Sequence, residues 1–145
     1  MVTADRLGRC DFFQEIDPSL LEALGRYFDV EQLPAGQTVF EEGAPGTHLY
    51  IVEEGSLEVV KPDITGAEHV LAELRRGQVV GEMAVMDLRP RSATVRAKAD
   101  TTLLAISRDD LLKMLQEAPR AAAALILGVA HSLSERLRIS SPRLL

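Results

Sequence analysis

The spacing of apolar residues changes twice along the chain and divides it into three parts. In the first part, about residues 4–28, Leu21 and Leu24 recur at helical spacing. Asp17 and Pro18 stand just before them. Because aspartate caps helices and proline fits the first helical position, this pair predicts a helix start. The N-terminal part is therefore expected to be helical.

The middle part, about residues 30–106, consists of short runs of β-type composition that are separated by glycines. The runs occupy residues 38–40, 48–52, 56–60, 68–74, 93–97 and 101–106. Glycine suits the turns between them because it reaches positive φ without steric cost. Several short strands with turn residues between them are typical of an all-β sandwich or barrel.

The third part returns to helical spacing. Ser107 is a predicted N-cap with Asp110 three residues later, and Pro119 divides this part, about residues 108–138, into two helices. The second helix is expected to bury one face, formed by Ile126, Val129, Leu133 and Leu137. Gly128 lies inside this helix and costs about 1 kcal/mol relative to alanine. Close packing against a neighbour or chance tolerance would explain it.

Composition and charge fit one domain over residues 1–145. Hydrophobic residues make up 46% of the 145 positions and charged residues 26%, which is enough to bury one core. Lysine and arginine total 16 against 22 aspartates and glutamates, so the net charge is −6. Because binding through nucleic-acid phosphates needs a basic face, we expect no nucleic-acid partner. The small cluster of Arg136, Arg138 and Arg143 is expected to be a solvated helix end.

Cysteine usage and hydropathy narrow the class of protein further. Cys10 is the only cysteine, which excludes a disulfide and a cysteine-based zinc site within one chain. No apolar run approaches the ~20 residues of a membrane span, and the first residues lack the apolar stretch of a signal peptide. We therefore expect a cytoplasmic protein without a membrane segment in this chain.

One stretch, residues 79–95, departs from the strand pattern. A strand stops at Gly81, a short helical turn begins at Glu82, and a loop ends in Pro90 and Arg91. The first turn of a helix offers N–H groups to an anion, and an arginine pairs with phosphate through charge-assisted hydrogen bonds. Glu82 can accept hydrogen bonds from a sugar hydroxyl. These features together predict a small phosphorylated sugar as the ligand.

This stretch resembles the phosphate-binding cassette of the cyclic-nucleotide-binding domains, as in the catabolite activator protein and the regulatory subunits of protein kinase A. The cassette pattern is Gly-Glu-x-Ala followed by Pro-Arg-(Ser/Ala/Thr)-Ala-Thr-Val, and residues 81–84 and 90–95 match it. The likeness extends to the turns at residues 34–36 and 42–46, the strand at 49–52 and the helix through 135–138. It implies an α+β fold: an eight-stranded antiparallel, jelly-roll-like β-roll flanked by N-terminal and C-terminal helices.

The resemblance also implies roles for individual residues of the cassette, residues 81–95. Arg91 is expected to pair with the cyclic phosphate, while Glu82 and the Gly81 backbone hold the ribose 2′-hydroxyl. Ser92 stands where some members place a hydroxyl against the phosphate or a guanine base. Further expected contacts are the backbone N–H groups of Met83, Ala84 and Ala93.

The terminal helix is expected to fold over the base as a lid, with His131, Ser132 and Arg136 as candidate contacts. The implied function is a sensor without catalytic residues, metal or other cofactor. It would bind cAMP in preference to cGMP and signal by moving this helix. The expected partner is an effector protein or the rest of a longer receptor, because the chain ends too soon for the helix-turn-helix of bacterial relatives. A second copy is a further candidate partner for the helix.

Three other interpretations stay open at this point. Glu82 and Arg91 taken alone would form a plain ion pair at a strand end. Separately, the domain could keep its fold as a structural or dimerisation module without a ligand. A cupin-type metalloenzyme has a similar β-roll core, but it needs clustered metal ligands, whereas His48 and His69 are isolated in the sequence.

Overall fold

The middle of the chain folds into two antiparallel β-sheets. They are seen in a computed structural model, which describes residues 1–82 and 89–140. Eight strands lie in the described part: β1 Asp29–Leu33, β2 Thr38–Phe40, β3 His48–Glu54, β4 Ser56–Pro62, β5 Glu68–Arg75, β6 Val79–Val80, β7 Thr94–Ala97 and β8 Thr101–Ser107. One sheet has the order β1-β8-β3-β6 and the other the order β2-β7-β4-β5. The expected α+β fold with a β-roll is confirmed.

Helices precede the first strand and follow the last strand in the chain. They are α1 Ala4–Gly8 and α2 Leu21–Gly25 before β1, and α3 Arg108–Glu117 and α4 Pro119–Ser140 after β8. The side chain of Asp17 accepts a hydrogen bond from the Ser19 N–H, but the turn that it caps is the short 3-10 helix Pro18–Leu20. The N-terminal part is thus a series of short helices. Ser107 caps α3 by accepting from the Asp110 N–H at 3.0 Å.

The two central strands of the first sheet, β8 and β3, are buried on both faces. Leu49 and Ile51 of β3 pack with the helices, whereas Tyr50 and Val52 pack with residues of the second sheet. Successive residues of a strand point to opposite faces, so a strand covered on both sides is apolar throughout. The run of four apolar residues in β3 follows from its place between the helices and the second sheet.

The buried face of α4 lies nearer to the N-terminus of the helix than the sequence pattern predicts. Its buried residues are Ala121, Ala122, Leu125 and Val129. Leu137, which was expected on this face, is 57% exposed, because the core reaches along the helix only as far as the half-buried Leu133. Gly128 is explained by close packing, since a Cβ there would lie 2.9 Å from Cζ of Phe12. No helix of the described residues is long and apolar enough to cross a membrane.

Candidate functional site

A cleft of about 300 Å³, hereafter the cavity, is lined by the second sheet, the end of β6, the chain around residue 90 and α4. It brings together six residues that the sequence predicts for the site: Gly81, Glu82, Arg91, Ser92, Ala93 and Arg136. Much of the remaining wall is apolar and includes Phe40, Val59, Leu74, Val80 and Val95. An apolar pocket of this size with a few convergent polar groups is typical of a site for a small ligand.

Arg91 is a buried cation whose charge no carboxylate of the described residues neutralises through an ion pair. It is only 5% exposed. Its Nη1 donates to the carbonyl of Gly81 at 2.8 Å, and its Nη2 donates to the carbonyl of His48 at 2.6 Å. Its Nε is buried and has no hydrogen-bond partner within residues 1–82 and 89–140. Burial lowers the pKa of Arg91, so an anion bound beside it would relieve the cost of desolvating the charge.

Gly81 allows this arrangement because it has no side chain. Its φ is 83°, a left-handed conformation that favours glycine. A Cβ at this position would lie 2.5 Å from Nη1 of Arg91 and 3.0 Å from the carbonyl oxygen of His48. The guanidinium can therefore reach both carbonyls only when residue 81 lacks a Cβ.

Glu82 pairs with the terminal helix and not with Arg91. Its Oε1 accepts a hydrogen bond from Nη2 of Arg136 at 2.6 Å. The side chain of Glu82 is 7% exposed and that of Arg136 28%. The plain ion pair between Glu82 and Arg91, which the sequence left open, does not form here. The buried carboxylate of Glu82 and the buried guanidinium of Arg91 thus line one cavity, but each is hydrogen-bonded to a different partner.

Only some of the other candidate residues lie at the cavity. Ser92 is exposed and Ala93 is buried, both at the wall of the cavity. Met83 and Ala84 lie outside the described residues. His131 and Ser132 line a second depression between α4 and the N-terminal helices, and they do not line the cavity. Of the three candidate lid residues, the structure brings only Arg136 to Glu82 and Arg91.

The apolar wall of the cavity was not predicted from the sequence, and Phe40 is its most important residue. In a regular strand Phe40 would share a face with Thr38. The pairing of β2 with β7 shifts register between these two residues, so that Thr38 lies opposite Arg96 but Phe40 lies opposite Val95. Because opposed residues share a face and Val95 lines the cavity, this bulge turns Phe40 inward. The sequence contains no signal for the bulge.

The two histidines of the sheets have local partners. His48 shares a hydrogen bond of 2.9 Å with the hydroxyl of Thr47, and His69 contacts the carboxylate of Asp63 at 2.6 Å. Among the described residues, no group of three or more histidine, cysteine or carboxylate side chains is placed to hold a metal ion.

Comparison with known proteins gives consistent results at the level of sequence and of fold. The family model described as the cyclic nucleotide-binding domain matches residues 30–118. A cAMP-dependent protein kinase regulatory subunit of Aspergillus fumigatus is 40% identical over 87 residues, which cover 60% of this chain and 20% of that protein. The Cyclic AMP receptor protein of Thermus thermophilus is 33% identical over 123 residues, covering 85% of this chain and 57% of that protein.

Solved structures extend the likeness to almost the whole chain. A cyclic nucleotide-binding domain from Methylobacillus flagellatus superposes with a TM-score of 0.82 and 25% identity, covering 97% of this chain and 79% of that chain. The chain spans less than two thirds of the length of the two curated relatives. The family model covers more than half of the chain and includes Gly81, Glu82 and Arg91. The chain therefore belongs to the cyclic nucleotide-binding domain family.

Proposed function

We propose that this domain is a non-catalytic sensor that binds cAMP in the cavity beside Arg91. The observation that carries the proposal is the buried Nε of Arg91, which has no partner among the described residues although Arg91 is only 5% exposed. A buried donor on an uncompensated cation is costly unless an anion completes it. A cyclic nucleotide supplies that anion as its phosphate, and its ribose 2′-hydroxyl is a donor for Glu82 in the same cavity.

Four of the predicted residues that line the cavity, and the Gly81 backbone, have these roles in the proposal. Arg91 binds the phosphate, and Glu82 accepts a hydrogen bond from the ribose 2′-hydroxyl, helped by the Gly81 backbone. Ser92 and the Ala93 N–H lie at the wall of the cavity and are further contacts for the phosphate. We favour cAMP over cGMP because the relatives that are 40% and 33% identical are named for cAMP.

Isothermal titration calorimetry with cAMP and cGMP tests the ligand. The purified protein is first unfolded and refolded so that any nucleotide bound during expression is removed, and mass spectrometry identifies the released nucleotide. We expect saturable binding of one nucleotide per chain, tighter for cAMP, with adenosine as the control that lacks the phosphate. Absence of heat for both nucleotides at millimolar concentration would rule out the proposal.

Replacing Gly81 by alanine is expected to weaken cAMP binding about tenfold, because the new Cβ would displace the guanidinium of Arg91 from the two carbonyls. Gly66→Ala is the matched control. Gly66 has a φ of 86°, but a Cβ there would meet no atom within 4 Å, so this variant carries similar backbone strain without touching the site. Titration of both variants gives the affinities, and an equal loss in the two would contradict the role of Gly81.

We also propose that the ligand signals through α4, because the ribose of the ligand and Arg136 of α4 would both donate to the carboxylate of Glu82. The carboxylate that would accept the ribose hydroxyl already accepts from Arg136 on α4. A ligand moves a helix only if it binds better to one position of that helix than to another, and competition for one carboxylate supplies such a difference. The outer face of α4, where Leu127 is 70% and Leu137 57% exposed, is then the surface for an effector protein or a second copy.

Hydrogen–deuterium exchange tests this coupling. In the wild-type protein, cAMP is expected to change the exchange of the last turns of α4. In Arg136→Gln the change should be largely lost while cAMP affinity stays within about tenfold, because the variant removes the ionic contact to Glu82 and leaves Arg91 in place. Arg138→Gln, two residues further on and exposed, serves as the control. An unaltered response in Arg136→Gln would refute coupling through this pair.

A further inference from the structure

We propose that Phe40 is a positioning residue for the phosphate site: its ring fixes the plane of the Arg91 guanidinium and thereby sets the affinity for the anionic part of the ligand. The inference rests on the proposed function, since it concerns the same cavity. It adds a residue outside the cassette, from a strand that the chain reaches about fifty residues earlier.

The contact between the two side chains has the geometry of a cation–π interaction. Cζ of Arg91 lies 4.0 Å from the centroid of the Phe40 ring. Such interactions act within about 6 Å of the centroid and are strongest where the cation is desolvated. Arg91 is 5% exposed, so its contact with the ring lies in the stronger part of that range.

The backbone and a second ring hold Phe40 in this place. The register shift between Thr38 and Phe40 turns the ring to the inner face of its sheet. The ring of Tyr50 in β3 stacks on it with a centroid distance of 6.3 Å and an interplanar angle of 27°. Tyr50 is itself buried between the two sheets. Phe40 is therefore a fixed surface for the guanidinium.

The hydrogen bonds of Arg91 alone leave one motion open. Both bonds are made by the two Nη atoms, and both acceptors are neutral backbone carbonyls, of Gly81 and His48. The guanidinium plane can still rotate about the line that joins these acceptors, and Nε would move with it. The ring of Phe40 lies against the guanidinium and opposes this rotation. Nε is thus held ready for an anion before the ligand arrives, which reduces the entropic cost of binding.

The experiment varies the charge distribution of the Phe40 ring and nearly preserves its shape. Phe40 is replaced by phenylalanines with one, two and three ring fluorines, which progressively weaken the negative face of the ring. We expect the cAMP affinity, measured by titration calorimetry, to fall stepwise to about a tenfold loss while the protein stays folded. Phe40→Leu should lose about as much, and Phe40→Tyr should retain most of the affinity. Fluorination of Phe28, buried in the core beside the helices, is the matched control and should leave the affinity unchanged.

A second measurement reports on the contact without a ligand. The Nε–Hε proton of Arg91 should resonate upfield in the NMR spectrum of the ligand-free protein, because it lies in the ring current of Phe40, and Phe40→Leu should remove this shift. If the wild-type protein binds cAMP but the fluorinated series shows a flat affinity, the role of Phe40 is overturned and the proposed function stands. If the wild-type protein binds neither cAMP nor cGMP, the proposed function fails, and the role of Phe40 in binding fails with it.

Discussion

Arg91→Gln is expected to lower the affinity for cAMP about 1000-fold while the protein stays folded. Truncating one member of a buried, hydrogen-bonded charge pair costs several kcal/mol, because the other charge is left without a partner in a dry site. In this protein that other charge would be the cyclic phosphate. Titration calorimetry measures the affinity, and circular dichroism with thermal unfolding reports whether the variant keeps its sheets.

The control for this variant is Arg96→Gln. Arg96 lies five residues further along, in β7, and pairs with Glu58 and Glu68 on the outer face of the sheet. Its loss should leave the affinity within about threefold of wild type, because neither Arg96 nor its two carboxylate partners line the cavity. If Arg91→Gln bound cAMP as well as Arg96→Gln does, the phosphate would not lie beside Arg91.

Glu82→Ala is expected to weaken cAMP binding about 50-fold, since hydrogen bonds to a charged group contribute roughly 1.5–3 kcal/mol. The loss should depend on the ribose. Wild-type protein is expected to bind 2′-deoxy-cAMP about 50-fold more weakly than cAMP, whereas Glu82→Ala should bind the two nucleotides equally. Calorimetry with both ligands and both proteins completes this cycle.

Glu58→Ala is a matched control for Glu82→Ala. The side chain of Glu58 is 17% exposed and accepts a hydrogen bond from an arginine, Arg96, but it does not line the cavity. Its affinity for cAMP should not change, and its preference for cAMP over the deoxy ligand should remain. If Glu82→Ala still preferred cAMP over 2′-deoxy-cAMP by the wild-type factor, the ribose hydroxyl would have another acceptor.

The charged residues of the site could be predicted from the sequence because they lie in one contiguous stretch whose order matches a family pattern. Gly81, Glu82 and Arg91 are brought to one cavity as that pattern implies. The partners of Arg91 could not be predicted in this way. They are the backbone carbonyls of Gly81 and His48, and a backbone acceptor leaves no trace in residue identity.

Features that depend on distant packing also escaped prediction. The strand Asp29–Leu33 was not recognised because most of its residues are exposed and show no alternation; it forms because β8 pairs with it along its length. Phe40 was missed because a bulge changes the face on which it lies. The contact between Glu82 and Arg136 joins residues 54 positions apart, and it depends on how α4 packs against the cavity.

The fold class could be predicted well because turn glycines and short apolar runs are local signals. Which face of α4 is buried depends instead on how far the core extends. The pattern placed Leu137 on the buried face, but the core stops near Leu133, so helical spacing alone overestimated the length of the apolar contact.

A crystal structure of the protein with cAMP shows directly whether the nucleotide binds between Arg91 and Glu82. We predict that the nucleotide occupies the cavity, with a phosphate oxygen within hydrogen-bond distance of the Arg91 guanidinium, Nε included, and with the ribose 2′-hydroxyl on the carboxylate of Glu82. A complex in which the nucleotide lies elsewhere, or in which Arg91 contacts only the carbonyls of Gly81 and His48, would contradict this binding mode.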